Sequence, residues 1–234
     1  VGEVIFESID TPGLVSCLEV SQTWKVLAEN VLIKRWKGKM LKACKSRETK
    51  VVQLLLDRCN SEESGLNAKD KKCNTPLMYA CLEGHKDIVK LLLERCNSEE
   101  SGLNMKDNYG WTALIKACYK GHKNVVKLFL DHSVSKNIEL NARTNYGETA
   151  FMMACNKGHK DVVQLLLNHP NPRIEVNAKA NNDMTAFIVA CNQGHKDIVK
   201  ILLEYPDINI KGYKDLTHEM KDFIVLYLLK LNWN

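Results

Sequence analysis

The sequence predicts an all-α solenoid of about five tandem helix pairs closed by a C-terminal helix, and three regularities carry that expectation. An Ala-Cys dipeptide recurs at Ala43-Cys44, Ala80-Cys81, Ala117-Cys118, Ala154-Cys155 and Ala190-Cys191, at steps of 37, 37, 37 and 36 residues. A Gly-His-Lys tripeptide keeps the same beat from Gly84, Gly121, Gly158 and Gly194. Behind each tripeptide comes a run such as Ile88, Val89, Leu91, Leu92, Leu93 or Val162, Val163, Leu165, Leu166, Leu167, with Lys or Gln on the opposite side. This is the pattern of an amphipathic helix. A single helix pair cannot bury such a face, whereas a stack of pairs can, and a fixed period of this size marks stacked units.

Residues 1–37 precede the period. They read as three short amphipathic helices broken around Thr11-Pro12-Gly13, whose proline and glycine interrupt helices. The segment holds more apolar side chains than about forty residues can bury alone. Part of its surface is therefore expected to meet a partner or to cap the first repeat.

Residues 38–234 form the repeat array. In each unit the first helix is expected to start after a threonine such as Thr75 or Thr112, a good N-cap, and to run through the Ala-Cys pair to the glycine. The second helix follows the Gly-His, with Asp87, Asn124, Asp161 or Asp197 in its first turn, where a negative group suits the helix dipole. The first unit has Arg47-Glu48 in place of Gly-His, as expected of an end that abuts something else. Leu216 to Leu231 reads as a closing helix.

These residues resemble the ankyrin-repeat family. The family pattern Thr-Pro-Leu-His-x-Ala is matched by Thr75-Pro76-Leu77-Met78-Tyr79-Ala80 except at the His, and the Gly-His and leucine-rich segments fit as well. The units exceed the family's length of about 33 residues. The additions fall at Asn60-Ser61-Glu62-Glu63-Ser64 and Asn97-Ser98-Glu99-Glu100-Ser101, which are expected to be longer surface loops. The resemblance implies a protein partner held by the fingers between repeats and the adjoining first-helix surface. Carried over residue by residue, the partner-binding positions are Lys71, Lys72 and Asn74, then Asn108, Tyr109 and Trp111, then Asn145, Tyr146 and Glu148, and last Asn181, Asn182 and Met184. Aromatic side chains at an exposed tip, here Tyr109 and Trp111, are typical interface anchors.

The N-terminal segment resembles an F-box. Ile5-Phe6, Leu14, Val20-Ser21, Trp24 and Leu27-Ala28 fall at that family's spacings, although Gly13 stands where Asp is common and Leu32 and Trp36 are not adjacent. The chain starts at Val1 rather than Met, so an upstream extension is expected, and the opening Leu-Pro of the pattern is expected there. The resemblance implies a Skp-type adaptor of a cullin-RING ubiquitin ligase as partner, bound through Ile5, Phe6, Leu14, Val20 and Trp24. Fold-level analogy alone supports this reading.

Composition excludes several other classes. The net charge of +5 over 234 residues falls short of a dedicated nucleic-acid binder. The ladder Lys86, Lys123, Lys160, Lys196 lacks the interleaved aromatics that stack bases. No apolar run approaches the ~20 residues that span a bilayer. Nine cysteines with no signal-like segment, no Cys-x-x-Cys and no zinc spacing point to free thiols in a reducing compartment, cytoplasmic or nuclear. Helices pack ~8–10 Å apart, too far for equivalent cysteines to bridge. His85, His122, His159 and His195 lie a repeat apart and cannot converge on one ion or substrate, and no nucleotide, hydrolase or metalloprotease motif is present. No enzyme activity, cofactor or metal is expected. The sequence therefore predicts an adaptor, a substrate receptor for a ubiquitin ligase, or else a plain scaffold or inhibitor whose N-terminal helices are only a cap.

Overall fold

The computed structural model describes residues 9–18, 22–36, 38–59, 64–95, 102–132, 137–170, 173–212 and 216–231. Among them are thirteen helices and no strand, with one isolated bridge between Arg143 and Thr149. The chain forms two compact units, Val1–Leu103 and Asn104–Asn234. This division lies inside the repeat array, not at the 37/38 boundary where the sequence pattern changes.

The first unit contains α1 (Thr11–Cys17), α2 (Gln22–Trp36), α3 (Met40–Lys45), α4 (Thr49–Arg58), α5 (Pro76–Glu83) and α6 (Lys86–Arg95). First helices stack on first helices, α3 on α5, and second on second, α4 on α6. The N-terminal helix α2 joins the second-helix layer by packing on α4, and α1 packs on α2. Leu14, Ala28, Val31, Leu32 and Trp36 are buried, which explains why the segment clusters with the first two repeats. The Arg58 guanidinium bonds the buried Glu29 carboxylate at 2.9 Å, and the Trp36 indole N–H donates to the Thr11 hydroxyl at 3.3 Å. Of the F-box-like positions, Ile5, Phe6 and Val20 lie outside the described residues. Trp24 falls on α2 with its side chain likewise outside them, and Leu14 is buried.

The second unit contains α7 (Ala113–Lys120), α8 (Lys123–His132), α9 (Ala150–Asn156), α10 (Lys160–Leu167), α11 (Ala186–Asn192), α12 (Lys196–Leu203) and α13 (His218–Leu231). Here α7, α9 and α11 form the first-helix layer and α8, α10 and α12 the second, with α13 packed on α12. α13 buries Met220 and Ile224 and leaves Val225, Leu226 and Leu229 exposed. Of the inserted loops, residues 60–63 and 97–101 lie outside the described residues.

Local chemistry accounts for the helix limits. The hydroxyls of Thr75, Thr112, Thr149 and Thr185 accept the N–H of Met78, Ile115, Met152 and Ile188 at 3.3–3.4 Å. Each satisfies one donor that the helix start leaves open. At the other end Gly121 takes the left-handed region at φ 76°, which turns the chain into the next helix. Arg47 fills the corresponding place in the first repeat at φ 59°.

Packing follows the predicted faces. Ile88, Val89, Leu92 and Leu93 are buried while Leu91 is half-buried, and Val162, Val163 and Leu166 are buried while Leu165 and Leu167 are half-buried. Each such side chain contributes roughly 1.5–3 kcal/mol. Phe129, Phe151 and Phe187 are fully buried in the second unit. Cys44, Cys81, Cys118, Cys155 and Cys191 are buried and in no disulfide. Burial pushes the Cys44 and Cys191 thiols up to about 12 and raises those of Cys118 and Cys155 as well. They act as small apolar core groups.

Polar staples tie neighbouring repeats. The His159 Nε2–H donates to the Tyr119 carbonyl at 2.9 Å and the His195 Nε2–H to the Asn156 carbonyl at 3.0 Å. Within the second unit Asn104, Asn141 and Asn177 each donate to a carbonyl of the next repeat (Asn137, Arg173, Asp207) and accept an N–H from it (Glu139, Glu175, Asn209). No helix among the described residues is long and apolar enough to cross a membrane.

Candidate functional site

Each finger precedes a first helix, and one pair of positions links the two: the finger base (70, 107, 144, 180) and the fifth residue from the cap threonine (79, 116, 153, 189). In the first unit the Asp70 carboxylate accepts the Lys72 and Asn74 N–H groups at 2.8 Å and the Tyr79 hydroxyl at 2.7 Å. Burial alone would raise the Asp70 carboxyl, but these bonds, the one from Tyr79 foremost, outweigh it and hold it at about 2. Tyr79 is raised reciprocally to about 12, first by that hydrogen bond and then by burial. In the second unit Asp107 accepts the Tyr109 and Trp111 N–H groups at 2.9 Å and the Lys116 ammonium at 2.7 Å.

One repeat further on, Thr144 replaces the aspartate and accepts the Tyr146 and Glu148 N–H groups at 3.2 Å, while Met153 stands opposite. In the last repeat the pair is Ala180 and Val189. The polar bridge between finger and helix is thus replaced by apolar side chains from Met153 onward.

Where the bridge is missing, a cleft of ≈ 170 Å³ lies between α9 and α11 and their fingers. Met152, Met153, Ala180, Met184 and Val189 form its apolar walls, Asn156, Asn182, Asn192 and Gln193 its amide rim, and Glu148 is its single charged group. The Glu148 carboxylate accepts the Thr144 hydroxyl at 3.4 Å.

The finger residues expected to bind a partner fall into distinct environments. Glu148, Asn182 and Met184 line the cleft. Tyr109 and Tyr146 are exposed, 52% and 61%, and Asn108 is exposed beside Tyr109. Trp111 is half-buried: its ring meets Tyr119 edge-on, centroids 5.0 Å apart, beneath the Lys116 ammonium. It is a shelf behind the finger, not a free tip. Asn145 and Asn181 hold their neighbours, with backbone N–H groups on the Tyr109 and Tyr146 carbonyls and side-chain amides on the Asn108 and Asn145 carbonyls, all at 2.9–3.0 Å. Their recurrence at equivalent positions with Asn108 is the sequence signal for this framework role. Lys71 and Lys72 are exposed in the first unit, and the Asn74 side chain is bonded to Asp70.

Met152, Met153, Asn156, Ala180, Val189, Asn192 and Gln193 belong to the cleft but escape the finger pattern, since they sit on first helices or at a finger base. Comparison of positions 79, 116, 153 and 189 exposes the change from polar to apolar. The lysine ladder is exposed, with Lys123 3.5 Å from Asp161 and Lys196 2.7 Å from Glu219. Among the described residues no group of His, Cys, Asp or Glu could hold a metal ion.

No curated protein matches the chain. The family model for ankyrin repeats (three copies) matches residues 39–140 and 134–212, which excludes the N-terminal segment and covers most of the rest. That match falls on the same threonine-capped, glycine-terminated helix pairs described above, and the chain belongs to the ankyrin-repeat family.

Proposed function

We propose that this chain is a protein-binding adaptor that performs no chemistry itself, holding a target protein in the cleft between α9 and α11 while residues 1–37 dock on a Skp-type adaptor of a cullin-RING ubiquitin ligase. The single observation behind the target site is the loss of the finger-to-helix polar bridge at Met153 and Val189, which leaves a methionine-walled cleft rimmed by amides. Methionine walls adapt to a partner's shape, and rim amides can bond an extended segment. The ligase reading rests on the F-box-like spacing of Leu14, Val20, Trp24 and Leu27-Ala28. Buried cysteines in no disulfide suit a reducing compartment, cytoplasmic or nuclear.

A photo-crosslinking residue at Asn182 tests the target site in cells, with Asn124 on the second-helix layer as control. A protein captured from Asn182 and not from Asn124 supports it. Equal capture from both positions refutes it. A pull-down with the Skp-type adaptor, comparing the chain with a variant in which Ile5, Phe6 and Trp24 are changed to serine, tests the other half.

A second reading follows from the packing of α2 on α4 and the Arg58–Glu29 bond, which suit a structural cap. It makes the chain a scaffold or inhibitor with no ubiquitin role. It is favoured if the adaptor fails to bind while the triple serine variant loses stability.

A further inference from the structure

The cleft between α9 and α11 combines a short apolar wall and an amide rim with one carboxylate. Met184 and Val189, both half-buried, offer thioether and aliphatic surface above the buried Met152 and Met153, 3% and 4% exposed, and Glu148 sits half-buried beside them. Its one side-chain bond among the described residues is from the Thr144 hydroxyl at a long 3.4 Å. No lysine, arginine or histidine is among the residues that line the cleft. One repeat earlier the Asp107 carboxylate at the finger base is answered by Lys116 from the facing helix; here Thr144 takes the place of Asp107, and Met153, which lines the cleft with Glu148, takes the place of Lys116. A half-buried carboxylate with no cation of its own favours an incoming positive charge.

Resting on the reading that this cleft holds a protein partner, we infer that its occupant is a lysine or arginine side chain of an extended segment. Such side chains pair a flexible methylene stem with a cationic head. The stem lies along Met184 and Val189, over the buried Met152 and Met153, and the head reaches Glu148. The volume, ≈ 170 Å³, equals the liquid share of about six waters, room for one long side chain. A wholly apolar side chain would fill the walls but leave Glu148 desolvated without compensation, which disfavours it.

The test uses the full chain with 13C-methyl methionines, assigned by substitution. It is titrated with the pentapeptides Ac-Ala-Ala-Xaa-Ala-Ala-NH2, where Xaa is arginine, lysine, citrulline or norleucine. The arginine and lysine peptides are expected to shift the Met152, Met153 and Met184 methyl signals saturably. Citrulline and norleucine, without the charge, should bind at least about fivefold more weakly, the scale of one partly solvated ion pair. Glu148→Gln should erase that preference without moving the methyl signals of Met40 or Met78 in the first unit. Three outcomes overturn the inference: no shift at the three methyls, norleucine binding as well as arginine, or an arginine preference that survives Glu148→Gln. If the Asn182 crosslink captures a protein and Glu148→Gln leaves that capture unchanged, the cationic anchor fails while the protein-binding cleft stands. If the peptides behave as expected and no protein is captured at Asn182, the proposed function fails instead.

Discussion

The Lys116 ammonium sits 2.7 Å from the Asp107 carboxylate with the two side chains only 9% and 4% exposed, so finger and first helix of that repeat are joined by a buried ion pair. Two backbone N–H groups, from Tyr109 and Trp111, complete the carboxylate's bonding. Lys116→Met leaves a buried charge unanswered and should destabilise by roughly 3 kcal/mol. Asp107→Thr combined with Lys116→Met reproduces the Thr144 and Met153 pair of the next repeat, and this double variant should lie within about 1 kcal/mol of the parent. Urea denaturation of the parent, both single variants and the double variant measures the coupling. Additive losses would show that the pair is not a unit.

That pair also shows where sequence reading stops. The helix pairs, the threonine caps and the buried thiols are legible because each depends on neighbours fixed by the repeat: Thr75 caps residue 78, and Cys118 always falls on the same face. Finger residues are harder. Tyr109 and Trp111 look alike as aromatic tips, yet one is exposed and the other packs on Tyr119. The distinction lies in a contact eight positions along the sequence, which no local pattern displays. The cleft was hidden for a related reason. It arises from what Met153 and Val189 lack, and only alignment of one repeat on another reveals a missing partner.

The Gly-His staple can be separated from glycine's backbone freedom. Gly121 and Gly194 share the left-handed region, φ 76° and 73°, so alanine costs about 1 kcal/mol at either position for conformation alone. A Cβ at Gly121 runs into the His159 imidazole, whereas one at Gly194 meets nothing within 4 Å. Gly121→Ala should therefore cost roughly 1–2 kcal/mol more than Gly194→Ala, because the histidine that bonds the Tyr119 carbonyl must move. Thermal melts of the two variants read the difference, and equal losses would remove the staple from the explanation.

Arg47 occupies at φ 59° the place that glycine takes in the other four repeats. A long side chain there bears the Cβ penalty of the left-handed region without an evident return. Arg47→Gly is expected to stabilise the chain by roughly 0.5–1 kcal/mol, the gain reduced by glycine's greater freedom when unfolded. A rise in urea midpoint with unchanged slope would confirm it. A fall would mean that the guanidinium makes a contribution the backbone angle does not reveal.

Acid should loosen the Asp70–Tyr79 bridge. The folded Asp70 carboxyl, at about 2, lies below its ordinary value of 3.8 because donors surround the ionised form. A carboxylate depressed on folding contributes its stability in full above the unfolded value, and loses it as pH falls through the folded one. The window is pH 4 down to pH 2. Asp70→Asn should be less stable than the parent at pH 6, and the gap should close across that window. A gap of constant size from pH 6 to pH 2 would show that the carboxyl is not held down.

Transplanting the ion pair one repeat along tests whether its absence makes the binding cleft. In Thr144→Asp with Met153→Lys, the new carboxylate has the Tyr146 and Glu148 N–H groups to accept, as Asp107 has those of Tyr109 and Trp111. The new ammonium replaces Met153, which lines the cleft with Glu148, so it has the new carboxylate as its partner, as Lys116 has Asp107, and stability should change by less than about 2 kcal/mol. The cleft, however, gains a cation where its wall was apolar. A cationic anchor would then face like charge, and the rim amides would guard a filled space. Capture of a partner from the Asn182 crosslinker should fall at least tenfold in this double variant while its urea transition stays cooperative. Undiminished capture by a folded double variant would place the binding surface elsewhere on the fingers, with exposed Tyr109 and Tyr146 as the next positions to change.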